Sequence, residues 1–371
     1  MMRSGGSSVP GWIMPKRILV IATRQIGDVL LTTPLLHSLR LAYPEAVIDV
    51  LTYQNTDGML VGNPDLNRVL CVAEHPNIAE YWQLLGQILR RYDLAVSTLA
   101  GDRPLLYALL AAPRRIGSVP CARDGWKRRI LDAWFERDDA DIHTIQQNLR
   151  LADLLGIARS YALVPPRSDH GEKVLDERLP FSWRDEPFAV LHLLPMWHYK
   201  RWTTDGWRAL MRELARLGLQ IVITGGSSQI ESAYVDSVLA ASAIRAVNLV
   251  GRLRIAEVAS LLRAARIYVG PDTAMTHLAA SIGIPTVALY GPTNPIRWGP
   301  WPFGFVAEGS PYLRAALRQR VGNVLLIQAE GECVPCAEEG CDRHKGSFSD
   351  CLQRLSPERV IEAAVEMLGS G

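Results

Sequence analysis

No run of apolar residues in the chain reaches the roughly 18 that a membrane-spanning helix requires. Its opening, MMRSGGSSVPGWIMP, lacks the apolar centre of a secretory signal. These absences argue against a membrane-embedded or exported protein and place the expected site of action in the cytoplasm. Charge of one sign is lacking too: 40 Lys and Arg stand against 38 Asp and Glu, a formal net charge of +2. No global field points to nucleic acid, so an anionic partner would have to be met by a local patch. Cysteine is sparse, six in 371 residues, and in a reducing compartment these are expected to be thiols or metal ligands, not disulfides. What the chain does have is apolar side chain, 48% of residues against 21% charged. That is the balance of a folded, soluble protein, long enough for two domains with substantial cores.

Residues 1–15, rich in Gly and Ser, are expected to form a disordered extension. From Arg17 onward, β-rich runs (RILVIA, AVIDVLTY, RVLCVA, DLAVSTLA) alternate with helical segments such as GDVLLTTPLLHSLRLAY. A second series (FAVLHLL, LQIVITGG, AVNLVG, RIYVG, PTVALYG) begins near Pro187. Such alternation predicts parallel βαβ units and doubly wound sheets, an α/β fold of two Rossmann-like domains with carboxyl edges able to face a central cleft. The boundaries expected are 16–165 for the first domain, a Pro- and charge-rich linker over 166–186, and 187–350 for the second. A capped amphipathic helix closes the chain within 351–371.

Ligands of open α/β sheets bind at the carboxyl ends of strands beside helix N-termini. PDTAMTHLAA, after the run RIYVG, is such a place. Asp272 or Thr273 can cap the helix, whose first N–H groups form an anion site. Thr273 and His277 share a helix face, as do Asp272 and Thr276. Taken singly, Asp272 is an ordinary cap and His277 an ordinary buried histidine; the cluster, with Ala274 in its first turn, reads as a grip for a sugar diphosphate. Gly27-Asp28 opens a helix after the first strand, where a carboxylate can take a proton from an attacking hydroxyl, or merely complement the dipole. That turn holds one glycine where a dinucleotide fingerprint needs three, which removes the oxidoreductase reading. In LLPMWHYKRWTTDGW, Lys200 and Arg201 are placed to neutralise a diphosphate, while Trp197, His198, Tyr199 and Trp202 either stack on a base or sugar or simply pack. Gly225-Gly226, with Glu231 nearby, allows close backbone approach to a ligand.

RQIGDVLLTTPLLHSLR, KRWTTDGW, GG and PDTAMTHLAASIGIPTVALYGPTNPIRWGP resemble, in order, the motifs of the family 9 glycosyltransferases. These are the ADP-heptose:lipopolysaccharide heptosyltransferases and their relatives, and the likeness runs from Lys16 through nearly the whole chain. The resemblance implies a GT-B fold, with acceptor held mainly by the first domain and nucleotide-sugar by the second. It implies an inverting transfer that needs no divalent metal. Asp28 matches the general base, Lys200 the donor-phosphate lysine and Asp272 the acid that holds the donor sugar. Thr273 and His277 match its phosphate-side neighbours, and Glu231 matches the ribose-binding glutamate more loosely. The bulky PMWHY departs from the small residues usual at the start of the lysine loop. In such proteins the closing helix typically crosses back to the first domain. The alternatives within this likeness are another sugar, a protein acceptor as in autotransporter heptosylation, or a nucleotide-sugar-binding protein without transferase activity.

Two further stretches remain. PRRIGSVPCARDGWKRRILDAWFE gathers Arg114, Arg115, Arg123, Lys127, Arg128 and Arg129, expected to dock a phosphorylated, lipid-linked glycan or the anionic inner face of the bacterial inner membrane. Cys333, Cys336, Cys341 and Cys351, spaced C-x2-C-x4-C-x9-C, could close a tetrahedral site for structural zinc or iron.

Overall fold

The computed structural model describes residues 14–120, 125–137, 141–240 and 244–369. The expected extension over 1–15 lies, but for its last two residues, outside them. The chain divides into two units, Met1–Val164 with Val306–Gly309, and Pro165–Phe305 with Ser310–Gly371.

The first unit runs β1 (Arg17–Ile21), α1 (Ile26–Leu30), α2 (Thr33–Ala42), β2 (Val47–Tyr53), β3 (Arg68–Val72), α3 (Ile78–Ile88), β4 (Leu94–Ser97), α4 (Asp102–Ala111), β5 (Arg114–Pro120), α5 (Gly125–Ile130), β6 (Ala133–Arg137) and α6 (Thr144–Leu154). Its six strands lie in the order β3-β2-β1-β4-β5-β6, and every pairing is parallel. Strands covered on both faces read as continuous apolar runs rather than alternating ones; accordingly Ile18, Leu19, Val20 and Ile21 of β1 are all fully buried. The chain reverses its winding between β1 and β4, which makes the loop after β1 the natural place for a reactive group. On one face of the sheet α3 and α4 pack through Leu84, Ile88, Tyr107, Ala108 and Ala111, and an Asn77–Glu80 capping box fixes the start of α3.

The second unit runs α7 (Gly171–Arg178), β7 (Phe188–His192), α8 (Thr204–Arg216), β8 (Gln220–Thr224), α9 (Gln229–Ala240), β9 (Ala246–Asn248), α10 (Ile255–Ala264), β10 (Ile267–Pro271), α11 (Ala274–Ile282), β11 (Thr286–Tyr290), α12 (Pro295–Trp298), β12 (Arg318–Val321), β13 (Val324–Gln328), α13 (Asp350–Gln353) and α14 (Pro357–Leu368). The sheet order is β12-β13-β11-β10-β7-β8-β9, parallel except for the β12–β13 hairpin at one edge. Without the antiparallel edge strand β12 the six remaining strands repeat the order of the first unit, with the reversal between β7 and β10.

Two expectations are corrected. The stretch 166–186 is not a bare linker: it forms α7, which packs on α10 of the second unit and buries Leu175. A side chain at Gly171 would run into Ser260, so glycine lets the two helices close up. The final helix α14 belongs to the second unit. Its stripe Val360, Ala363, Ala364 and Met367 is part of the second unit's own core, against α8 and the sheet. Among the described residues no helix is long and apolar enough to cross a membrane.

Candidate functional site

In the second unit β7, β8 and β10 are parallel, so the turns that leave them lie on one edge of the sheet. Asp272 follows β10, and Lys200 ends a 3-10 turn (His198–Lys200) after β7. Asp272 is only 6% exposed. Lys200 Nζ donates to its Oδ2 at 2.5 Å, Thr293 Oγ1 to the same oxygen at 2.8 Å, and the Tyr290 hydroxyl to Oδ1 at 3.3 Å. Burial alone would push the carboxyl upward; the Lys200 ammonium and these hydrogen bonds outweigh it and hold the acid below its ordinary value.

His277 lies beside this pair, its Nε2 4.0 Å from Asp272 Oδ1. Burial pushes its pKa down to about 4, so the ring is neutral at pH 7. Its Nδ1 is buried with no hydrogen-bond partner. The helix start that carries it is open as well: Thr273 occupies the cap position, but its side chain caps nothing. Asp272, the other expected cap, is claimed by the stronger charge of Lys200. The positive end of α11 is thus left for a ligand, with Thr273 and Ala274 at its rim. Thr276 faces inward. Its side chain is fully buried and its hydroxyl bonded to the Pro271 carbonyl and the Tyr268 hydroxyl, so it braces the strand-to-helix turn.

Glu231 enters from the first turn of α9. A Cβ at Gly225 or Gly226 would come within 3.0 Å of its carboxylate, so the glycine pair is what makes room for this side chain. Burial raises its pKa against the pull of the Gly226 N–H and of Arg201. Glu231 Oε2 and Arg201 Nε are both buried without partners. Buried polar atoms are nearly always satisfied in a finished structure. His277 Nδ1, Glu231 Oε2 and Arg201 Nε, on one sheet edge beside an ammonium–carboxylate pair, make this edge the candidate site for a polar ligand.

The aromatics of the lysine loop are mostly spent on packing. Trp202 is in the core, its indole N–H bonded to the Leu355 carbonyl at 2.8 Å and its ring edge-on to Trp207 at 5.0 Å. Trp197 lies under the Lys345 ammonium at 4.5 Å, and His198 packs on Phe348 at 5.8 Å. Tyr199, half-buried with Lys200 Nζ 5.8 Å from its ring, is the one beside the charged pair. Sequence reading passed over Tyr290 and Thr293. The signal was the pairing of β10 with β11, Pro271 opposite Leu289, which brings the residues after both strands together.

In the first unit Asp28 is the third residue of α1, just past the carboxyl end of β1, its side chain 14% exposed with Arg24 Nη1 3.4 Å away. Among the described residues the basic run is divided between β5 and α5. Arg114 and Arg115 begin β5, at the amino end of the strand, and Arg115 lies 3.9 Å from Asp132. Lys127 is buried and paired with Asp102 at 2.9 Å, and Arg128 pairs with Glu136 at 2.5 Å over the Trp134 ring. Arg129 is exposed, and Arg123 lies outside the described residues.

The four cysteines share one loop region, and Cys333, Cys336 and Cys341 lie near enough to Cys351 to act on its thiol electrostatically. Cys333, Cys336 and Cys341 are exposed, whereas Cys351 is half-buried in α13 against Gly291. Burial, then the neighbouring thiols, pushes Cys351 up to about 11. Among the described residues no group of three or more His, Cys, Asp or Glu is arranged to hold a metal ion, so the zinc or iron expectation finds no support.

Comparison with known proteins adds the following. The family described as Glycosyltransferase family 9 (heptosyltransferase) matches residues 105–310. Lipopolysaccharide heptosyltransferase 3 of Escherichia coli strain K12 is 28% identical over 290 residues, 75% of this chain and 83% of the relative. The glycosyl transferase family 9 structure from Veillonella parvula DSM 2008 superposes with a TM-score of 0.77 at 19% identity, covering 96% of this chain and 98% of that one. The E. coli ADP-heptose lps heptosyltransferase II superposes at 0.73 and 22% identity, covering 95% and 99%. At such identities the structures establish the fold, GT-B with two Rossmann-like domains.

Proposed function

The chain belongs to glycosyltransferase family 9 and is a glycosyltransferase, and from that premise we propose that it moves a heptose from ADP-heptose to a hydroxyl of the lipopolysaccharide core, with inversion and without a catalytic metal. The acceptor is a lipid-linked phosphorylated glycan, so the enzyme works in the cytoplasm, peripherally on the inner face of the inner membrane. One observation carries the reading: the Lys200–Asp272 pair at 2.5 Å stands among the orphaned His277 Nδ1, Glu231 Oε2 and Arg201 Nε on the carboxyl edge of a nucleotide-binding type of sheet.

The second unit holds the donor. Glu231 accepts from ribose hydroxyls. Lys200 turns from Asp272 to the diphosphate, and Asp272 then accepts from hydroxyls of the sugar. As the bond from the anomeric carbon to the phosphate oxygen breaks, negative charge grows on the departing diphosphate; Lys200, Arg201 and the N–H groups opening α11 stabilise it. The electron pair for the new glycosidic bond comes from the acceptor oxygen, attacking the face opposite the leaving group. Asp28 takes the hydroxyl proton. ADP leaves, and one displacement inverts the centre.

The test is a transfer assay with ADP-heptose and core-truncated lipopolysaccharide, paired with thermal shift by the donor alone. Asp28→Asn should lose transfer by about two to four orders of magnitude and keep the donor-induced shift. Full activity in that variant would exclude the base, and stabilisation by another nucleotide-sugar in place of ADP-heptose would reassign the donor.

A further inference from the structure

We propose that the outer face of the α3–α4–α5 layer of the first unit is a docking surface for an anionic lipid bilayer. The proposal rests on the reading of a lipid-linked acceptor and says which surface meets the membrane. A surface helix ordinarily turns a polar stripe to water. Helix α4 has none: between Arg103 and Arg114 there is no charged residue, and the single polar side chain, Tyr107, is buried. Leu105, Tyr107, Ala108 and Ala111 fill the core, while Leu106, Leu109 and Leu110, three and four residues apart, are exposed on the opposite side.

Helix α3 lies beside it, the Arg90 N–H bonded to the Leu110 carbonyl at 2.9 Å and the Arg103 guanidinium to the Glu74 carbonyl. It repeats the pattern. Leu84 and Ile88 point inward, while Ile78 and Trp82 are 77% and 70% exposed, with Leu89 on the same stripe seven residues on. On the other flank, Lys127 ties α5 to Asp102 at the start of α4 and leaves Trp126 exposed beside it. The leucines are therefore continued on both sides by apolar side chains, one tryptophan on each neighbouring helix. Contiguous apolar exposure of this kind marks an interaction surface.

The charge around the face selects the occupant. Arg90 and Arg91 are exposed at the carboxyl end of α3, and Arg129 is exposed on α5. Of the acids nearby, Asp102 is paired with Lys127, leaving Glu74 and the capping-box Glu80 against those three arginines and Arg103. Leucine and isoleucine for the acyl boundary, tryptophan for the headgroup level and arginine for anionic headgroups are what a peripheral membrane face combines. Three helices laid side by side on a sheet also give a broad face, suited to a bilayer plane.

The experiment is co-sedimentation of the full chain with vesicles of phosphatidylethanolamine and phosphatidylglycerol, or of phosphatidylcholine alone. The wild type should partition to the anionic vesicles and weaken with salt. Trp82→Glu/Leu110→Glu should lose at least about tenfold in partition, and Arg90→Glu/Arg91→Glu should lose the preference for anionic lipid. Each variant is checked for folding by its donor-induced thermal shift. Unchanged binding by Trp82→Glu/Leu110→Glu overturns the proposal, as does a wild type that ignores anionic vesicles. So does a dimer in sedimentation velocity that this variant dissociates while vesicle binding persists, since the face would then belong to a second copy. Vesicle binding needs neither donor nor transfer; a failure to bind ADP-heptose counts against the proposed function and leaves this surface standing.

Discussion

At the scale of single residues, the site is held by charges that burial alone would forbid. Removing one member of a fully buried pair costs about 3–5 kcal/mol, but Lys200 keeps 20% of its side chain in water. Lys200→Met should therefore destabilise by a discounted figure of about 1–3 kcal/mol and also weaken donor binding. Lys200→Met/Asp272→Asn should recover most of the stability and none of the affinity. Denaturant midpoints and donor titrations separate the two effects; a double variant no more stable than Lys200→Met would show that the pair is not the source. His277 makes a different prediction. Its folded pKa is about 4 against an ordinary 6.5, so between those values the unfolded chain binds a proton that the native ring refuses. Native stability must then fall as pH drops from 6.5 toward 4, by up to about 1.4 kcal/mol per unit. His192, buried and lowered to about 4 in the same way, adds to the slope. Asp272, depressed instead, acts only at lower pH, where falling pH passes through its ordinary 3.8 and then its folded value. His277→Gln should flatten the melting temperature between pH 6.5 and 4.5 relative to wild type, and an unchanged slope would contradict a buried neutral imidazole.

At the scale of elements, the first turn of α8 joins packing to the site. Gly206 donates its N–H to Thr203 Oγ1 at 3.1 Å, and a Cβ there would run into the Trp202 ring. Alanine favours a helix over glycine by about 1 kcal/mol, yet overpacking a fixed core ring costs about 1–3 kcal/mol, so overpacking should win. Gly206→Ala is expected to lower the melting temperature and weaken the donor-induced shift, because Trp202 directly follows Lys200 and Arg201; a higher melting temperature would overturn it. The same turn shows what sequence can and cannot tell. Strands such as RILVI and TVALY are legible because a parallel strand buried on both faces must be an apolar run, and the Asp272–His277 turn is legible because its composition serves no packing purpose. Trp202 was not legible as core: an indole beside a lysine stacks or packs according to where the next helix sends it. Tyr290 and Thr293 needed the sheet order, since only the adjacency of β10 and β11 brings them to Asp272. Helix α7 hid in the polar stretch GEKVLDER, where a single inward Leu175 leaves almost no period to read. The amphipathic pattern of α14 announced a buried face but could not say which sheet it covers.

At the scale of the whole molecule, the tryptophans are distributed so that each unit can be followed separately. Trp202, Trp207 and Trp301 are 2%, 0% and 1% exposed and all lie in the second unit. Among the described residues, those of the first unit are the exposed Trp82 and Trp126 and the half-buried Trp134. Emission from buried indole shifts to the red on unfolding, whereas indole already in water changes little, so tryptophan fluorescence reports chiefly on the second unit. Circular dichroism averages over the helices of both. Chains with more than one core need not unfold in a single step, and a ligand stabilises only the state it binds, by about 2.7 kcal/mol at a hundredfold excess over Kd. Saturating ADP-heptose, without acceptor, should therefore raise the fluorescence midpoint more than the dichroism midpoint, and Asp28→Asn should behave as the wild type does. Coincident midpoints at saturating donor would mean that the two cores melt as one unit, and a variant with no fluorescence shift would place Asp28 in donor binding instead of acceptor activation.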